Sequence, residues 1–349
     1  MPELLIYGAN GYTGRLIARE AAARGLKPTL GGRNRAAIEQ LASELDCPAC
    51  VGSLEDEVLH NAIAKANVVL NCAGPFSQTA DTIVSFCALI GTSYLDITGE
   101  IDVIEHVATF DADARAVGAS LIPAVGFDVV PTDCLAAMLA ARLPGATHLA
   151  LAFTATGTVS PGTAKTVIEG AGTGKARVDG RLVDVPPLWK TRTVPFPAGP
   201  REVTTIPWGD LASAFHSTGI PNIETYVATS ARERKQMQRM QRLAPLLKIS
   251  WVRRLAQWAA GRTMKGPNDG ELAGGRAEIW CEVRDDSGRV ETATLTTPNG
   301  YRLTALTAVA AAERVLHGDI APGFQTPSRA FGAEFILSFE GVRSSFAAG

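Results

Sequence analysis

The segment Gly8-Ala9-Asn10-Gly11-Tyr12-Thr13-Gly14 constrains this chain more than any other. It follows a short apolar run, residues 3–8, and leads into a helix-period pattern from Thr13 to Arg24. The glycine spacing is G-x-x-G-x-x-G, placed between a strand pattern and a helix pattern. Each glycine answers a steric need: a tight turn, close approach of backbone amides to a diphosphate, and close packing of helix on strand. The helix start adds free N–H groups and a partial positive charge. A glycine triplet alone is weak evidence, but after a first strand and inside a βαβ pattern it points to a dinucleotide.

The rhythm beyond the loop agrees. Apolar runs at 28–32, 49–51, 67–72, 93–97 and 119–124 alternate with helix-period segments such as 35–45 and 79–90. Parallel neighbours need crossover helices, so the pattern predicts an α/β fold: a Rossmann doubly wound parallel sheet of six strands over residues 1–130. After Gly126 the rhythm changes. A helix over 132–142, a strand near 147–156, hairpin-like pieces over 177–229, helices at 231–242 and 246–260, a glycine-rich break at 266–275 and a hairpin of 276–285 with 289–297 follow. These predict a second α+β domain with a mixed or antiparallel sheet over 131–299. A helix over 303–316 lies in a C-terminal segment, 300–349, expected to return to the Rossmann domain.

The end of the second strand bears on the choice of dinucleotide. An NAD site usually carries Asp or Glu there to hold the ribose 2′-hydroxyl. This chain has Gly31-Gly32-Arg33-Asn34-Arg35, with no acid before Glu39. Guanidiniums at that point suit a 2′-phosphate, which favours NADPH over NADH. Ligands of open α/β sheets bind outside the carboxyl ends of the strands. The candidate cofactor residues are therefore Gly8, Asn10, Gly11, Tyr12, Thr13, Gly14, Arg33, Asn34 and Arg35, with Cys72, Ala73, Gly74, Pro75 and Phe76 after strand four. Thr98 and Gly99 after strand five, and Gly126 and Phe127 after strand six, complete the set. By the same placement Asp96, Glu100 and Asp128 are candidate catalytic groups, with Tyr301 a fourth. Each carboxylate competes with a plainer role as a helix cap or loop acceptor.

Taken in order, Gly-Ala-x-Gly-Tyr-Thr-Gly, Gly32-Arg33-Asn34-Arg35, Asn71-Cys72-Ala73-Gly74-Pro75-Phe76, Tyr94-Leu95-Asp96-Ile97-Thr98-Gly99-Glu100 and Gly126-Phe127-Asp128 with Pro131 and Asp133 resemble the saccharopine dehydrogenase-like oxidoreductases, including the bacterial trans-acting enoyl reductase branch. Ser160-Pro161-Gly162-Thr163, Gly300-Tyr301-Arg302-Leu303-Thr304 and Gly323-Phe324-Gln325-Thr326-Pro327 extend the likeness, which is weakest over 177–270. The resemblance implies a Rossmann domain, an α+β domain that dimerises and covers the active site, and NAD(P)-linked redox chemistry. It implies reduction of a C=N bond of a saccharopine-type imine or a C=C bond of an enoyl, lipid-like substrate, and leaves the substrate open. A catalytically silent NADP(H)-binding regulator, a redox sensor, is the competing expectation, since fold does not fix function.

Several chemistries find no motif. No tyrosine is followed four residues on by lysine, so the short-chain dehydrogenase pair is absent. Residues 170–175 lack the glycine and hydroxyl of a Walker loop, and no G-x-S-x-G elbow occurs. The five histidines show no metal-ligand spacing, and Cys47 with Cys50 form a lone C-x-x-C. A net charge of −2 offers no global field for nucleic acid or an anionic membrane. Cysteines inside apolar patterns and the lack of a leader pattern give the expectation of a cytoplasmic protein. Residues 232–262 stand apart, with nine basic residues against Glu233 and an apolar stripe of Leu247, Trp251, Leu255 and Trp258. Either this helix docks on its own domain or a dimer partner with a solvated basic face, or it meets an acyl carrier or membrane surface.

Overall fold

The computed structural model describes residues 3–154, 158–170, 172–247 and 249–347. Along the chain the first elements are β1 (Leu4–Tyr7), α1 (Tyr12–Ala23), β2 (Thr29–Gly32), α2 (Arg35–Leu45), β3 (Ala49–Val51), α3 (Glu57–Lys65), β4 (Val68–Asn71), α4 (Ala80–Ile90), β5 (Ser93–Asp96), α5 (Ile101–Ala108), α6 (Asp111–Val117) and β6 (Ser120–Ile122). There follow α7 (Val130–Arg142), β7 (His148–Phe153), α8 (Pro161–Glu169), β8 (Lys175–Val178), β9 (Arg181–Asp184), β10 (Thr191–Phe196), β11 (Gly199–Thr205), α9 (Asp210–Thr218) and β12 (Asn222–Ala228). The last are α10 (Ala231–Leu247), α11 (Ser250–Thr263), α12 (Asp269–Gly274), β13 (Arg276–Arg284), β14 (Val290–Pro298), α13 (Gly300–Leu316), β15 (Gly323–Phe324), α14 (Pro327–Phe331) and β16 (Arg343–Phe346). The chain divides into two compact units, one holding residues up to Val130 plus Tyr301–Gly332, the other Pro131–Gly300 plus the chain from Ala333.

In the first unit the strands form one parallel sheet ordered β15-β6-β5-β4-β1-β2-β3. β1 and β4 are buried at every residue, as strands covered on both faces must be. Leu5 pairs with Thr29 on one side of β1 and Val69 on the other, so chain order reverses at the β1–β4 pair. That reversal opens a crevice at the carboxyl ends of the two strands. Local signals set the helix ends. Asn34 caps α2 by accepting from the Ala37 amide at 3.2 Å, and α4 stops at Gly91, whose φ of +86° suits glycine. Two residues of β15, too short to register as a strand in the sequence, add a seventh strand beside β6. α13 is fixed to the β6 end: Thr307 Oγ1 donates to the Val125 carbonyl at 2.8 Å, and Thr304 Oγ1 accepts from the Phe127 amide at 3.0 Å.

The second unit is built on a mixed sheet ordered β10-β11-β12-β7-β13-β14-β16, with the β8–β9 hairpin attached to β12. Only β12 and β7 run parallel along that path. The sheet curls strongly. Arg192 on β10 donates to both carboxylate oxygens of Glu282 on β13, at 3.1 Å each, although three strands separate them in sheet order. The curl encloses Ala150, Ala152, Val194, Phe196, Val203, Tyr226 and Trp280, with the Arg192 guanidinium 4.7 Å from the centre of the Trp280 ring.

Sequence pattern and structure differ in four places. α8 and α9 were not anticipated; Ser160 caps α8 through the Thr163 amide and Pro161 pre-sets its first turn. The glycine-rich break at 266–275 contains α12, held by a reciprocal capping box of Asn268 and Glu271. Residues 300–349 do not all return to the Rossmann unit: β16 pairs antiparallel with β14, covering what would otherwise be an open sheet edge. The expected strand over 147–156 is seen to Phe153, and its positions 155–156 lie outside the described residues.

Leu70, fully buried in β4, tests this core against the exposed Leu255 of α11. In urea unfolding Leu70→Ala should cost about 2–5 kcal/mol and Leu255→Ala no more than about 0.5 kcal/mol. A loss under about 1 kcal/mol for Leu70→Ala would contradict the sheet register.

Candidate functional site

The glycine loop is shaped by backbone packing that no side chain could share. Gly8, at φ +82°, sits so close to the loop after β4 that a β-carbon would stand 2.7 Å from the Ala73 amide nitrogen. A β-carbon on Gly14 would stand 2.3 Å from the Gly8 carbonyl oxygen, so helix α1 meets its own loop there. The Gly8 and Ala9 amides are spent on the Gly31 carbonyl, at 2.8 and 3.0 Å, which ties the loop to β2. Gly11 is the N-cap of α1, exposed and without a side chain to cap it. The helix start at Tyr12, Thr13 and Gly14 thus has no side-chain cap and stands at the carboxyl edge of the sheet, a cradle that fits a diphosphate.

A buried carboxylate organises the next three loops. Asp96 has no exposed surface. Its Oδ1 accepts from the amides of Thr98, at 3.0 Å, and Ala124, at 2.8 Å. Its Oδ2 accepts from the Tyr94 hydroxyl at 2.8 Å. Tyr94 accepts in turn from Asn71 Nδ2 at 3.3 Å, and Asn71 Oδ1 accepts from the Ala73 amide at 3.0 Å. Burial raises the Asp96 carboxyl to about 6, against these three hydrogen bonds that favour its ionised form. Both oxygens are engaged and none of the side chain reaches the surface. Asp96 thereby staples the β5 and β6 loops and, through Tyr94 and Asn71, the β4 loop.

Glu100 also acts as a staple. Its Oε1 and Oε2 accept from the Phe76 and Ser77 amides, at 2.9 and 2.8 Å, at the start of a short 3₁₀ turn, Phe76–Gln78. The Glu100 amide donates to Thr98 Oγ1 at 3.0 Å, which gives the buried Thr98 a capping task. Cys72 donates its amide to the Tyr7 carbonyl at 2.7 Å, and burial pushes its thiol up, so it behaves as a packed thiol within the loop. Gly74 is exposed and Pro75 half-buried, while the Ala73 amide and carbonyl are taken by Asn71 and Thr79.

Asp128 differs from the other two carboxylates. It sits in the turn after β6, partly exposed, beside Gly99, where a β-carbon would come within 2.8 Å of Asp128 Oδ2. Burial of the carboxyl, and then the nearby Glu100 charge, raise it to about 7. Gly126 precedes it in contact with Thr304, whose methyl would lie 3.0 Å from an added β-carbon. Tyr301, at the start of α13, stands edge-on to Tyr12 of the glycine loop, with ring centroids 5.2 Å apart. It therefore flanks the dinucleotide cradle on the α1 side.

At the end of β2, Arg33 is exposed and makes no ion pair among the described residues. Its charge acts on the buried Tyr7 phenol, against the burial that raises that group. Asn10 lies against the same strand end, since a β-carbon on Gly32 would meet Asn10 Oδ1 at 2.7 Å. The other two residues of the basic run have local tasks: Asn34 caps α2, and Arg35 pairs with Glu39 at 2.9 Å. Sequence reasoning missed Asn71, Tyr94 and Thr304. Tyr94 and Asp96 share a face at strand spacing, and a polar Asn71 ending an apolar strand was the other available signal. Among the described residues, no three His, Cys, Asp or Glu side chains are placed to hold a metal ion, Cys47 and Cys50 are free thiols, and no helix is long and apolar enough to cross a membrane.

Residues 8–108 match the NAD(P)H-binding family model. The chain is 32% identical over 149 residues to a probable mitochondrial saccharopine dehydrogenase-like oxidoreductase of Arabidopsis thaliana, covering 38% of this chain and 33% of that protein. It is 32% identical over 140 residues to the trans-acting enoyl reductase of Mycobacterium leprae, covering 38% of this chain and 34% of that one. The aligned part is thus about a third of each relative's own length. The fold matches the apo saccharopine dehydrogenase (L-Glu forming) of Saccharomyces cerevisiae with a TM-score of 0.65 over 100% of both chains, at 13% identity. The chain therefore carries an NAD(P)H-binding Rossmann unit related to that of the saccharopine dehydrogenase-like oxidoreductases.

Proposed function

We propose that this protein is an NADPH-dependent reductase of a C=N or C=C bond in a small or lipid-like substrate, with Asp128 as its proton donor. The observation that carries the reading is the place of Asp128, in the turn after β6 and against Gly99 at the carboxyl edge of a dinucleotide-type sheet, where burial raises its carboxyl to about 7. The start of α1 would hold the diphosphate, with Thr13 and Gly14 lending backbone amides. Arg33, exposed and free of an ion pair among the described residues, would take the 2′-phosphate, with Asn10 beside it. Gly74 and Pro75 would border the ribose, and Tyr301 the face next to Tyr12. When bound, the reduced nicotinamide supplies the hydride. Reduction then needs one proton at the atom that does not receive the hydride, and Asp128 is the group with a proton to give near neutral pH. Asp96 and Glu100 hold the loops on which Asp128 and the cofactor edge depend.

Three outcomes are expected. In calorimetric titration, Arg33→Asp should weaken NADPH binding about tenfold or more and leave NADH within about threefold, as loss of a charge-assisted phosphate contact requires. Equal effects on both would exclude the 2′-phosphate role. In NADPH oxidation with keto-acid and amine mixtures or enoyl thioesters, wild-type kcat should fall as pH rises through about 7, where Asp128 loses its proton. Asp128→Asn should lower kcat about 100-fold and abolish that limb. Saturable NADPH binding with no turnover on either substrate class would favour the silent regulator.

The stability readout separates the two aspartates. Because the fold raises Asp128 from its ordinary 3.8 to about 7, its ionisation withdraws stability as pH climbs between those values. Asp128→Asn should therefore gain in Tm relative to wild type at pH above 7 compared with pH near 4. Asp96→Ala should instead lose about 2–5 kcal/mol, because it orphans two buried amides and the Tyr94 hydroxyl. A neutral Asp96→Ala would contradict its role as a staple.

A further inference from the structure

Seven of the seventeen exposed large apolar side chains among the described residues lie between Met240 and Met264, in the α10–α11 hairpin. Among the described residues α11 packs on α8 and, as the second arm of the hairpin, on α10. Gln257 donates to Glu169 of α8 at 3.0 Å, and Ala260, on the same helix, is buried. The side away from α8 carries Trp251, Leu255 and Trp258 at helical spacing, 65%, 55% and 55% exposed. Leu246 and Ile249 continue this apolar surface around the connecting turn, at 52% and 44% exposure. Arg254 and Arg262 stand beside the stripe at helical spacing, and the Arg262 guanidinium lies 4.3 Å from the centre of the Trp258 ring. On α10, Arg232, Lys235 and Arg239 line an open recess of about 460 Å³.

The charge is segregated. Residues 231–264 hold nine of the 33 basic residues and one of the 35 acids, a balance of +8, so the rest of the chain carries −10. Among the described residues, Arg232, Lys235, Arg239, Arg253 and Arg254 make no ion pair, while Arg234 pairs with Glu202. Lys248 and the Arg242 side chain lie outside the described residues. We propose that the α10–α11 hairpin docks the protein on an anionic lipid surface. Interfacial helices bury an apolar stripe at the boundary between acyl chains and headgroups, keep cations level with the phosphates, and favour tryptophan there. A second copy fits poorly, since two +8 faces would repel across an isologous contact. An acidic protein would satisfy the arginines but needs a groove matched to two tryptophans and an apolar turn; a bilayer needs none.

The test is co-sedimentation of the full chain with vesicles, with intrinsic tryptophan emission followed in parallel. Vesicles of equal parts phosphatidylcholine and phosphatidylglycerol should carry the wild type down and shift its emission to the blue. Pure phosphatidylcholine vesicles, or high salt, should release most of it. The double variants W251S/W258S and R254E/R262E should each lower partitioning about tenfold or more, with unchanged Tm and NADPH binding. Wild type that stays in the supernatant with the mixed vesicles would overturn the proposal. So would W251S/W258S partitioning like wild type. If the wild type sediments as a dimer, W251S/W258S as a monomer, and neither binds vesicles, the face belongs to self-association. Capture by an acidic acyl carrier protein without vesicle binding would likewise overturn it.

Discussion

The carboxyl edge of the parallel sheet depends on one buried carboxylate. Asp96 gathers the Thr98 and Ala124 amides and the Tyr94 hydroxyl, and Tyr94 passes the connection to Asn71 and the Ala73 amide. Three loops that end three adjacent strands are thereby held in one register. Ala73 in turn lies against Gly8, so the glycine loop is positioned by the same network. A charge can be kept in so apolar a place because every strong acceptor site has a donor. The result is a rigid rim, and a rigid rim is what a dinucleotide cradle and a tuned acid require.

The three carboxylates at this rim show how environment divides labour among like groups. Asp96 is buried with both oxygens hydrogen-bonded, Glu100 accepts from two amides at the start of a 3₁₀ turn, and the Asp128 carboxyl is buried near the Glu100 charge. Burial raises both aspartates; hydrogen bonds to the ionised form oppose it at Asp96, raised to about 6, while desolvation with the Glu100 charge raises Asp128 to about 7. Gly99 contributes by omission, since any side chain there would collide with Asp128.

The legible parts of the sequence were those set by local sterics. The glycine loop, the strand–helix alternation to residue 125 and Arg33 at the end of β2 each depend on a few adjacent residues, and each stands where the pattern put it. What the sequence does not show depends on long-range information. Asp96 ends an apolar strand just as a catalytic acid would; what sets it apart is Tyr94 two residues earlier and Asn71 across the β4–β5 register. Asn34 looked like part of a basic phosphate patch because its cap on Ala37 cannot be told from a loop polar residue until the helix start is fixed. β16 escaped notice because a four-residue edge strand is specified by its partner, β14, more than by its own pattern. α8 is a short helix whose start rests on a single Ser-Pro pair.

A crystal structure of the protein with NADP⁺ tests the account most directly. It should show the diphosphate on the amides at the start of α1, the 2′-phosphate against Arg33, and the nicotinamide ring in front of Asp128. A dinucleotide bound with its 2′-phosphate away from Arg33, or with its nicotinamide at the β2–β3 side of the sheet, would contradict it.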